Sequence, residues 1–317
     1  MPSGILRAGA APVRSLVEQI VYRVSLRRHL PLKPAQEVGG FSVDAYADWR
    51  LDEIRSSFHQ NFSAAEVAGK RVLDFGCGFG HLSRLAASLG ARHVVGMDID
   101  PRSIEKASGD PEPNITFKLE PDPSRISLPD ASIDVVLSFW MLEHVMEYEA
   151  IVPEWARILA PGGKVLILWG SQWRHPYGHH LHTMVPLPWI HMVLGPAALY
   201  RIAAQIYDSP GFRPRWWHLD ASGVPKANPY RGQTEFTDLN RLTTRRFETV
   251  VRQAGLSIRR REAHSGTNRL RSHLTKIRGL QDFLCTHFVY ELQKAPPPLA
   301  GLGCEADQSG GRGPAVQ

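Results

Sequence analysis

The segment Val72-Leu-Asp-Phe-Gly-Cys-Gly-Phe-Gly-His-Leu-Ser83 decides the fold class of the chain. It begins in a short apolar run, and glycines then alternate at Gly76, Gly78 and Gly80. From His81 onward, leucine and alanine recur at helical spacing up to a closing glycine. The pattern therefore predicts a strand, a glycine-rich loop and a helix. Glycines in such a loop let the backbone turn sharply and let a ligand approach without meeting a Cβ atom.

Two carboxylates accompany the loop. Asp98 ends the next predicted strand, His93–Asp98, at the ~20-residue distance expected for an acid that binds ribose hydroxyls. Asp74 precedes the first glycine, where it is suited to the ammonium group of an amino-acid moiety. The dehydrogenase motif G-x-G-x-x-G is not met from Gly76, because position 81 is His81. The loop thus favours an adenosyl amino acid over a nicotinamide dinucleotide.

The motif D-x-G-x-G-x-G at Asp74–Gly80, followed by Gly96-Met-Asp98, resembles that of the class I S-adenosylmethionine (SAM)-dependent methyltransferases. Leu128–Ser138 resembles the fourth strand of that family, and Ile158–Ile167 resembles the turn into its fifth. The resemblance implies an α/β fold with a Rossmann-like seven-stranded sheet flanked by helices, its last strand antiparallel. It also implies SAM as the cofactor. An inserted cap or lid is expected between strands five and six, since no match is seen from Ser171 to Leu242.

The resemblance also implies a set of cofactor-binding residues: Asp74, Gly76, Cys77, Gly78, Gly80, Asp98, Ile99, Asp122 and Phe139. Ile99 is expected on the adenine face, with burial at a strand end as a compatible alternative. Asp122 falls at the position of the family's adenine-contacting acid, but Glu120-Pro-Asp-Pro123 replaces the usual Gly-Asp-Ala. Asp122 is therefore alternatively a turn residue, with Glu120 as its substitute.

Two histidines are candidate catalytic residues. His144 follows the fourth strand and is expected near the transferred methyl group, or else orients its own loop. His180 belongs to the histidine-rich stretch 175–182 and is expected to act as a base or to bind the substrate, with a structural role as the alternative. A metal site is not expected there, because no cysteine and no evident carboxylate partner lies nearby.

The chain divides into five predicted parts. They are an N-terminal helical extension (1–64), a SAM-binding core (65–170), an inserted substrate or lid region (171–243), a C-terminal completion of the sheet (244–294) and a disordered tail (295–317). The insert is rich in Trp, Tyr, His and Pro, which suits an apolar substrate cap or contact with a membrane surface.

The N-terminal helix has an apolar face formed by Val13, Leu16, Val17, Ile20 and Val24. We expect this face to dock on the body of the protein or on a partner. A targeting segment and a membrane-surface helix are the alternatives.

Composition limits the remaining choices. With 317 residues, 43% hydrophobic and 21% charged, the chain is typical of soluble proteins of one or two domains. Its three cysteines are widely spaced, which indicates a reducing, cytoplasmic setting. Acids outnumber bases over 65–170, whereas bases outnumber acids over 201–282. The basic part either meets an anionic acceptor or forms solvated helix faces.

The sequence therefore predicts a SAM-dependent methyltransferase that acts on an O, N or C atom of a small or lipid-linked acceptor, with an anionic group as an option. Peripheral membrane contact is compatible with this prediction, and the oligomeric state is left open. The alternatives are a catalytically inactive SAM-fold scaffold and an RNA-modifying methyltransferase. A nucleic-acid partner is not expected, because the sequence shows no N-P-P-Y-type tetrapeptide and no recognisable RNA-binding module.

Overall fold

A computed structural model describes residues 15–29, 43–122, 124–170, 172–210, 212, 214–220, 224–266 and 269–295. The helices within these ranges are α1 (Leu16–His29), α2 (Val43–Asn61), α3 (His81–Ser88), α4 (Pro101–Ser108), α5 (Tyr148–Ile158), α6 (Pro196–Tyr207), α7 (Thr244–Gln253), α8 (Arg269–Leu274) and α9 (Arg278–Leu284). The predicted tail lies outside the described residues except for Ala295, as does Val13 of the predicted N-terminal apolar face.

Seven strands form one sheet. They are β1 (Arg71–Phe75), β2 (His93–Asp98), β3 (Ile115–Leu119), β4 (Ile133–Phe139), β5 (Leu159–Trp169), β6 (Leu256–His264) and β7 (His287–Lys294). Their order across the sheet is β3-β2-β1-β4-β5-β7-β6. The strands from β1 to β5 pair in parallel, whereas β7 runs antiparallel to both β5 and β6. This arrangement confirms the predicted fold, including the antiparallel last strand.

Helices cover both faces of the sheet. On one face Trp155 of α5 and Phe247 of α7 are fully buried against β1, β4 and β5. On the other face Phe58 of α2 and Leu82 of α3 pack on the same strands. Strand order reverses between β1 and β4, so a crevice opens beyond the carboxyl ends of these two strands. The glycine loop, which follows β1, lies at that crevice.

Two predicted boundaries differ from the structure. The Pro-Gly-Gly sequence at Pro161–Gly163 predicts a turn ahead of the fifth strand, but these residues lie inside β5, where Ile133 pairs with Leu159 and Val135 with Lys164. The extra residues on β5 form an irregularity in the ladder, in which Gly162 has φ of 79°. The apolar stretch Phe283–Gln293 predicts the last strand, but its start is wrong, because α9 extends to Leu284 and β7 begins at His287.

Helix α1 packs on α6 through a face that the hydrophobic pattern did not predict. The buried side chains are Glu18, Val21 and Ser25, and Glu18 forms an ion pair with Arg201 at 2.6 Å. The predicted docking residues Leu16, Val17 and Ile20 are exposed instead. The prediction that they dock on the body is therefore wrong: the buried ion pair turns their face outward.

The insert between β5 and α7 has a hydrophobic cluster of its own. Leu199, Ile202 and Ile206 of α6 are fully buried against Met184 and Val185. The insert therefore has a small hydrophobic core, to which Val21 of α1 also contributes. Among the described residues, no helix has both the length and the hydropathy needed to cross a bilayer.

Candidate functional site

The glycine loop closes tightly against its neighbours. Gly76 and Gly80 have φ of 80° and 79°, in the region that favours glycine. A Cβ atom at Gly76 would lie 2.5 Å from Met141 Cγ, and one at Gly80 would lie 2.5 Å from the ring of Phe117. A Cβ at Gly78 would meet nothing within 4 Å, so this residue faces open space. The loop thus has two packed glycines that hold its shape and one that faces outward.

A polar cavity of about 190 Å³ lies on one side of the loop. Five predicted cofactor residues line it: Asp74, Gly76, Cys77, Gly78 and Phe139. Gly80 is instead the N-cap residue of α3, which begins at His81.

Asp74 is the ionisable group at the base of the polar cavity. Its carboxylate accepts a 2.6 Å hydrogen bond from Ser83 Oγ. The pKa of Asp74 is raised to about 7, because burial and the neighbouring Asp98 raise it more than the hydrogen bond from Ser83 lowers it. The carboxyl group therefore titrates near neutral pH.

The polar cavity contains a cation that sequence reasoning missed. Arg50 of α2 lines the cavity and forms a 2.5 Å ion pair with Glu53. The aromatic residues of the stretch 42–68 predict that Tyr46 or Trp49 is the residue of this helix that reaches the site. The side chain of Tyr46 lies outside the described residues, and Trp49 is half-buried. The sequence signal that could have identified Arg50 is its position as a basic residue in the aromatic-rich helix ahead of the first strand.

An apolar cavity of about 480 Å³ lies on the other side of the loop and shares Gly76 with the polar cavity. Ile99 and Met97 line it, and Ile99 is 62% exposed. Asp98 stands at its rim, where its carboxylate accepts hydrogen bonds of 2.8 Å from the Gly78 amide and 2.9 Å from the Asp100 amide. Asp98 is thus held in place by backbone groups at the junction of the two cavities.

The structure separates the two acids considered for the adenine contact. Glu120 lines the apolar cavity and is held by hydrogen bonds from the amide and hydroxyl of Ser127. Asp122 is exposed and accepts a 3.1 Å hydrogen bond from the Ser124 amide, as a turn residue does. The geometry therefore favours Glu120 over Asp122 for a contact in this cavity.

The two candidate catalytic histidines lie together at the mouth of the apolar cavity. His144 lines the cavity, and its ring centroid is 5.1 Å from that of His180. His144 Nδ1 donates to the Asp238 carbonyl at 2.8 Å. Because a carbonyl only accepts, Nδ1 carries the proton, and Nε2 of the neutral ring is a proton acceptor. The insert thus fixes the tautomer that a general base requires.

The other histidines of the insert have structural roles. Burial lowers the pKa of His175 to about 4 and that of His179 to about 3, so both rings are neutral. The Nδ1 atom of His179 accepts from the Leu181 amide, and Nε2 of His191 donates to the Trp173 carbonyl. Within the described ranges, no cluster of three or more His, Cys, Asp or Glu side chains is arranged to hold a metal ion.

Glu143 and Trp140 form a second group. The position of Trp140 after the fourth strand predicts that it lies beside the methionine part of the cofactor, whereas the sequence did not single out Glu143. Glu143 is buried, and its Oε2 atom has no hydrogen-bond partner among the described residues. Burial raises the pKa of this carboxyl, while His144 and Arg50 oppose the rise. Trp140 has φ of 55°, an unfavourable conformation for a bulky residue. A strained aromatic residue and a buried acid thus lie next to His144, which is typical of functional sites.

Comparison with known proteins agrees with this geometry. Residues 73–167 match the family model described as a methyltransferase domain. The chain is 31% identical over 138 residues to a probable SAM-dependent methyltransferase of Mycolicibacterium smegmatis, covering 44% of this chain and 51% of that protein. It is 33% identical over 143 residues to a ubiquinone biosynthesis O-methyltransferase of Idiomarina loihiensis, covering 41% and 58%.

A demethylmenaquinone methyltransferase of Tropheryma whipplei is 31% identical over 163 residues, with coverages of 49% and 63%. The chain therefore spans little more than half the length of these relatives. A solved SAM-dependent methyltransferase structure from Mesorhizobium loti aligns over 79% of this chain and 99% of its own at 21% identity, with a TM-score of 0.46. The fold assignment depends on the strand order described above and not on that alignment.

Proposed function

The chain carries a class I SAM-dependent methyltransferase domain over residues 73–167, and we propose on this premise that it transfers the methyl group of SAM to a hydroxyl oxygen of an apolar aromatic acceptor. The observation that carries the proposal is the pair of contacting histidines at the cavity mouth, in which His144 is protonated at Nδ1 and can accept a proton at Nε2. An amine acceptor would not need such a base, whereas a hydroxyl would.

The residues at the two cavities fit SAM. The amino-acid part is an ammonium and a carboxylate, which match Asp74 and Arg50 in the polar cavity. The ribose hydroxyls match the Asp98 carboxylate at the rim, and the adenine ring matches the apolar wall that includes Met97 and Ile99. When bound, SAM supplies an electrophilic methyl group on a sulfonium whose thioether departs neutral.

The residues of the chain then have three tasks. They place the acceptor oxygen in line with the methyl group, exclude water and remove the hydroxyl proton. Trp140 and Met141 follow β4, and Met141 packs against Gly76 at the glycine loop. His144 Nε2 receives the proton, while His180 and the Asp238 carbonyl hold the imidazole ring in place.

The acceptor class is inferred from two supports. Two of the relatives are named for ubiquinone biosynthesis and for demethylmenaquinone, which are quinone compounds. The cavity mouth is lined by Met141, Val145 and Met146 beside His144, surfaces that suit an aromatic ring with an apolar substituent. We infer a hydroquinone or related phenol as the acceptor.

The test is a turnover assay with methyl-labelled SAM and a short-chain prenylated hydroquinone. The expected product carries the label on oxygen, identified by mass spectrometry and by NMR of the methoxy group. The matched controls are the same ring with its hydroxyls already methylated and the corresponding aniline. Label on a ring carbon or on the aniline would contradict the proposal. Cofactor binding without transfer to any of these acceptors would favour the scaffold alternative.

A further inference from the structure

Helix α1 presents an exposed apolar face. Leu16 is 72% exposed, Val17 48% and Ile20 53%, values unusual for three neighbouring large aliphatic residues. The opposite side of the helix is already buried on α6 through Val21 and the Glu18 ion pair. The exposed face is therefore not the surface that attaches α1 to the rest of the protein.

The exposed face of α1 adjoins a second apolar surface from the insert. Glu18 pairs with Arg201, and Tyr22 contacts Ser209, so α1 and α6 run in the same direction. Their N-terminal ends therefore lie at the same end of the helix pair. Directly before α6, Met192 is 51% exposed and Val193 is 73% exposed. We call Leu16, Val17, Ile20, Met192 and Val193 the apolar end of the helix pair.

Positive charge follows the apolar end along α1. Leu16, Ile20, Arg23 and Arg27 are spaced by four, three and four residues, so they share one stripe of the helix. Both arginines are exposed. Glu18 is the one acid in the α1 sequence, and it is buried against Arg201 rather than facing outward. The outer stripe of α1 is therefore apolar at its N-terminal half and cationic at its C-terminal half.

We propose that this stripe binds the surface of an anionic phospholipid membrane. The apolar end would enter the boundary between headgroups and acyl chains, while Arg23 and Arg27 contact lipid phosphates. Charge selects this occupant over a second copy of the chain. A two-fold contact through the same stripe would place the arginines of one copy against the arginines or against the apolar residues of the other, and neither stripe carries an acid to pair with them.

The location of the stripe agrees with the proposed function. Helix α6, on which α1 packs, belongs to the insert that also supplies His180 and the Asp238 carbonyl at the cavity mouth. A membrane-bound insert would give the cavity access to an acceptor dissolved in the bilayer. This link rests on the proposed function, but membrane binding itself does not, because it is measured without turnover.

The test is sedimentation of the full chain with phosphatidylcholine vesicles, with and without phosphatidylglycerol. We expect binding only to the vesicles that contain phosphatidylglycerol, weakened by added salt as a charge-dependent contact requires. The double variant Leu16→Glu/Ile20→Glu should lower the partition coefficient by about tenfold or more. The matched control is Val224→Glu/Ile277→Glu, which changes two equally exposed apolar residues elsewhere and should bind as the wild type does.

A second variant separates the charge from the apolar contact. Arg23→Gln/Arg27→Gln should bind phosphatidylglycerol vesicles severalfold more weakly and lose most of the salt dependence. Equal binding to both kinds of vesicle, or an unchanged partition coefficient in the Leu16→Glu/Ile20→Glu variant, would overturn the proposal. So would wild-type self-association in analytical ultracentrifugation that the same variant abolishes while no vesicle binding is seen. None of these outcomes depends on which acceptor the enzyme methylates.

Discussion

The sheet core and the insert use polar residues in opposite ways. At the core, Asp98 of β2 lines the apolar cavity, and Arg50 of the covering helix α2 lines the polar cavity while paired with Glu53, so both charged side chains face a candidate ligand site. In the insert, His175 and His179 are buried and neutral, and their ring nitrogens accept hydrogen bonds from backbone amides two residues ahead. A histidine-rich composition alone therefore does not identify a functional site. His180 is distinguished by its contact with a second histidine at a cavity mouth.

The two regions also differ in how they tolerate unusual backbone conformations. The core places glycines at the left-handed positions of its loop, so the conformation costs little. The insert uses His180 at φ of 52° and Trp189 at 55°, where a side chain costs of order 1–3 kcal/mol. The glycine loop therefore has an unstrained backbone, whereas strain lies at His180, which contacts the proposed catalytic His144, and in the core at Trp140, which follows β4.

The largest expected effect tests the core. Asp98→Ala should weaken binding of S-adenosylhomocysteine by about 100-fold, because about two charge-assisted hydrogen bonds to the ribose would be lost at ~1.5 kcal/mol each. Isothermal titration calorimetry measures the change. Asp122→Ala is the matched control, since Asp122 is a turn residue. The affinity of this variant for S-adenosylhomocysteine should equal that of the wild type. Equal losses of affinity in both variants would contradict the assignment of Asp98 to the ribose hydroxyls.

Most of the core could be predicted because its signals are local. The alternation of apolar residues and the glycine spacing fix β1, the loop and α3, and β2 was predicted at the bounds the structure shows. An aspartate directly before Pro101 predicts a helix N-cap at Asp100, and its carboxylate accepts a hydrogen bond from the Arg102 amide. Each of these features depends on neighbours in the chain, which a single sequence contains.

The features that could not be predicted depend on contacts between distant segments. Arg50 reaches the polar cavity because α2 lies over the glycine loop, and no spacing rule connects it with Asp74. The outward face of α1 follows from a buried ion pair with Arg201, 183 residues away. The early start assigned to β7 failed for the same reason: α9 is held by a bond from the Thr244 amide to Asp282.

The next effect separates the two cavities. Arg50→Gln should weaken S-adenosylhomocysteine binding by about 30-fold, since a charged hydrogen bond to the carboxylate is worth roughly 2 kcal/mol. Binding of 5′-methylthioadenosine, which lacks the amino-acid part, should stay unchanged. Arg55→Gln on the exposed side of the same helix is the control. If the variant loses affinity for both ligands equally, Arg50 supports the fold of the loop and does not bind the carboxylate.

A smaller effect tests the insert. His180→Asn should lower kcat by about tenfold, because the His144 ring loses the neighbour that orients it. Asparagine is chosen because it tolerates the left-handed conformation of residue 180 better than alanine does. Affinity for S-adenosylhomocysteine should be unchanged, and His59→Asn on α2 is the control. A wild-type kcat in the His180→Asn variant would show that this residue of the insert does not contribute to catalysis.

The smallest effect concerns the pH dependence of the polar cavity. With a pKa of about 7, Asp74 is largely protonated near pH 6 and largely ionised near pH 8. The ammonium group of S-adenosylhomocysteine prefers the ionised carboxyl, so the affinity should rise severalfold as the pH increases across this range. Asp74→Asn should remove the slope. Ser83→Ala should move its midpoint to higher pH, because the Ser83 hydrogen bond lowers the pKa.

The Asp74 carboxyl should make the stability of the unliganded protein fall as the pH rises, which is opposite to the trend in affinity. The pKa of Asp74 is about 7 in the folded protein and near 3.8 for an ordinary aspartate, so the folded state binds more protons between these values. The contribution of this group to stability therefore falls as the pH rises through that window. A thermal melt without ligand should shift to lower temperature toward neutral pH, and Asp74→Asn should lose that component. If affinity and stability changed in the same direction with pH, Asp74 would not be the group that meets the ammonium. Ionisation of Asp74 is thus expected to destabilise the empty cavity and to strengthen binding of a cation. This combination is expected of a binding site and not of a structural hydrogen bond.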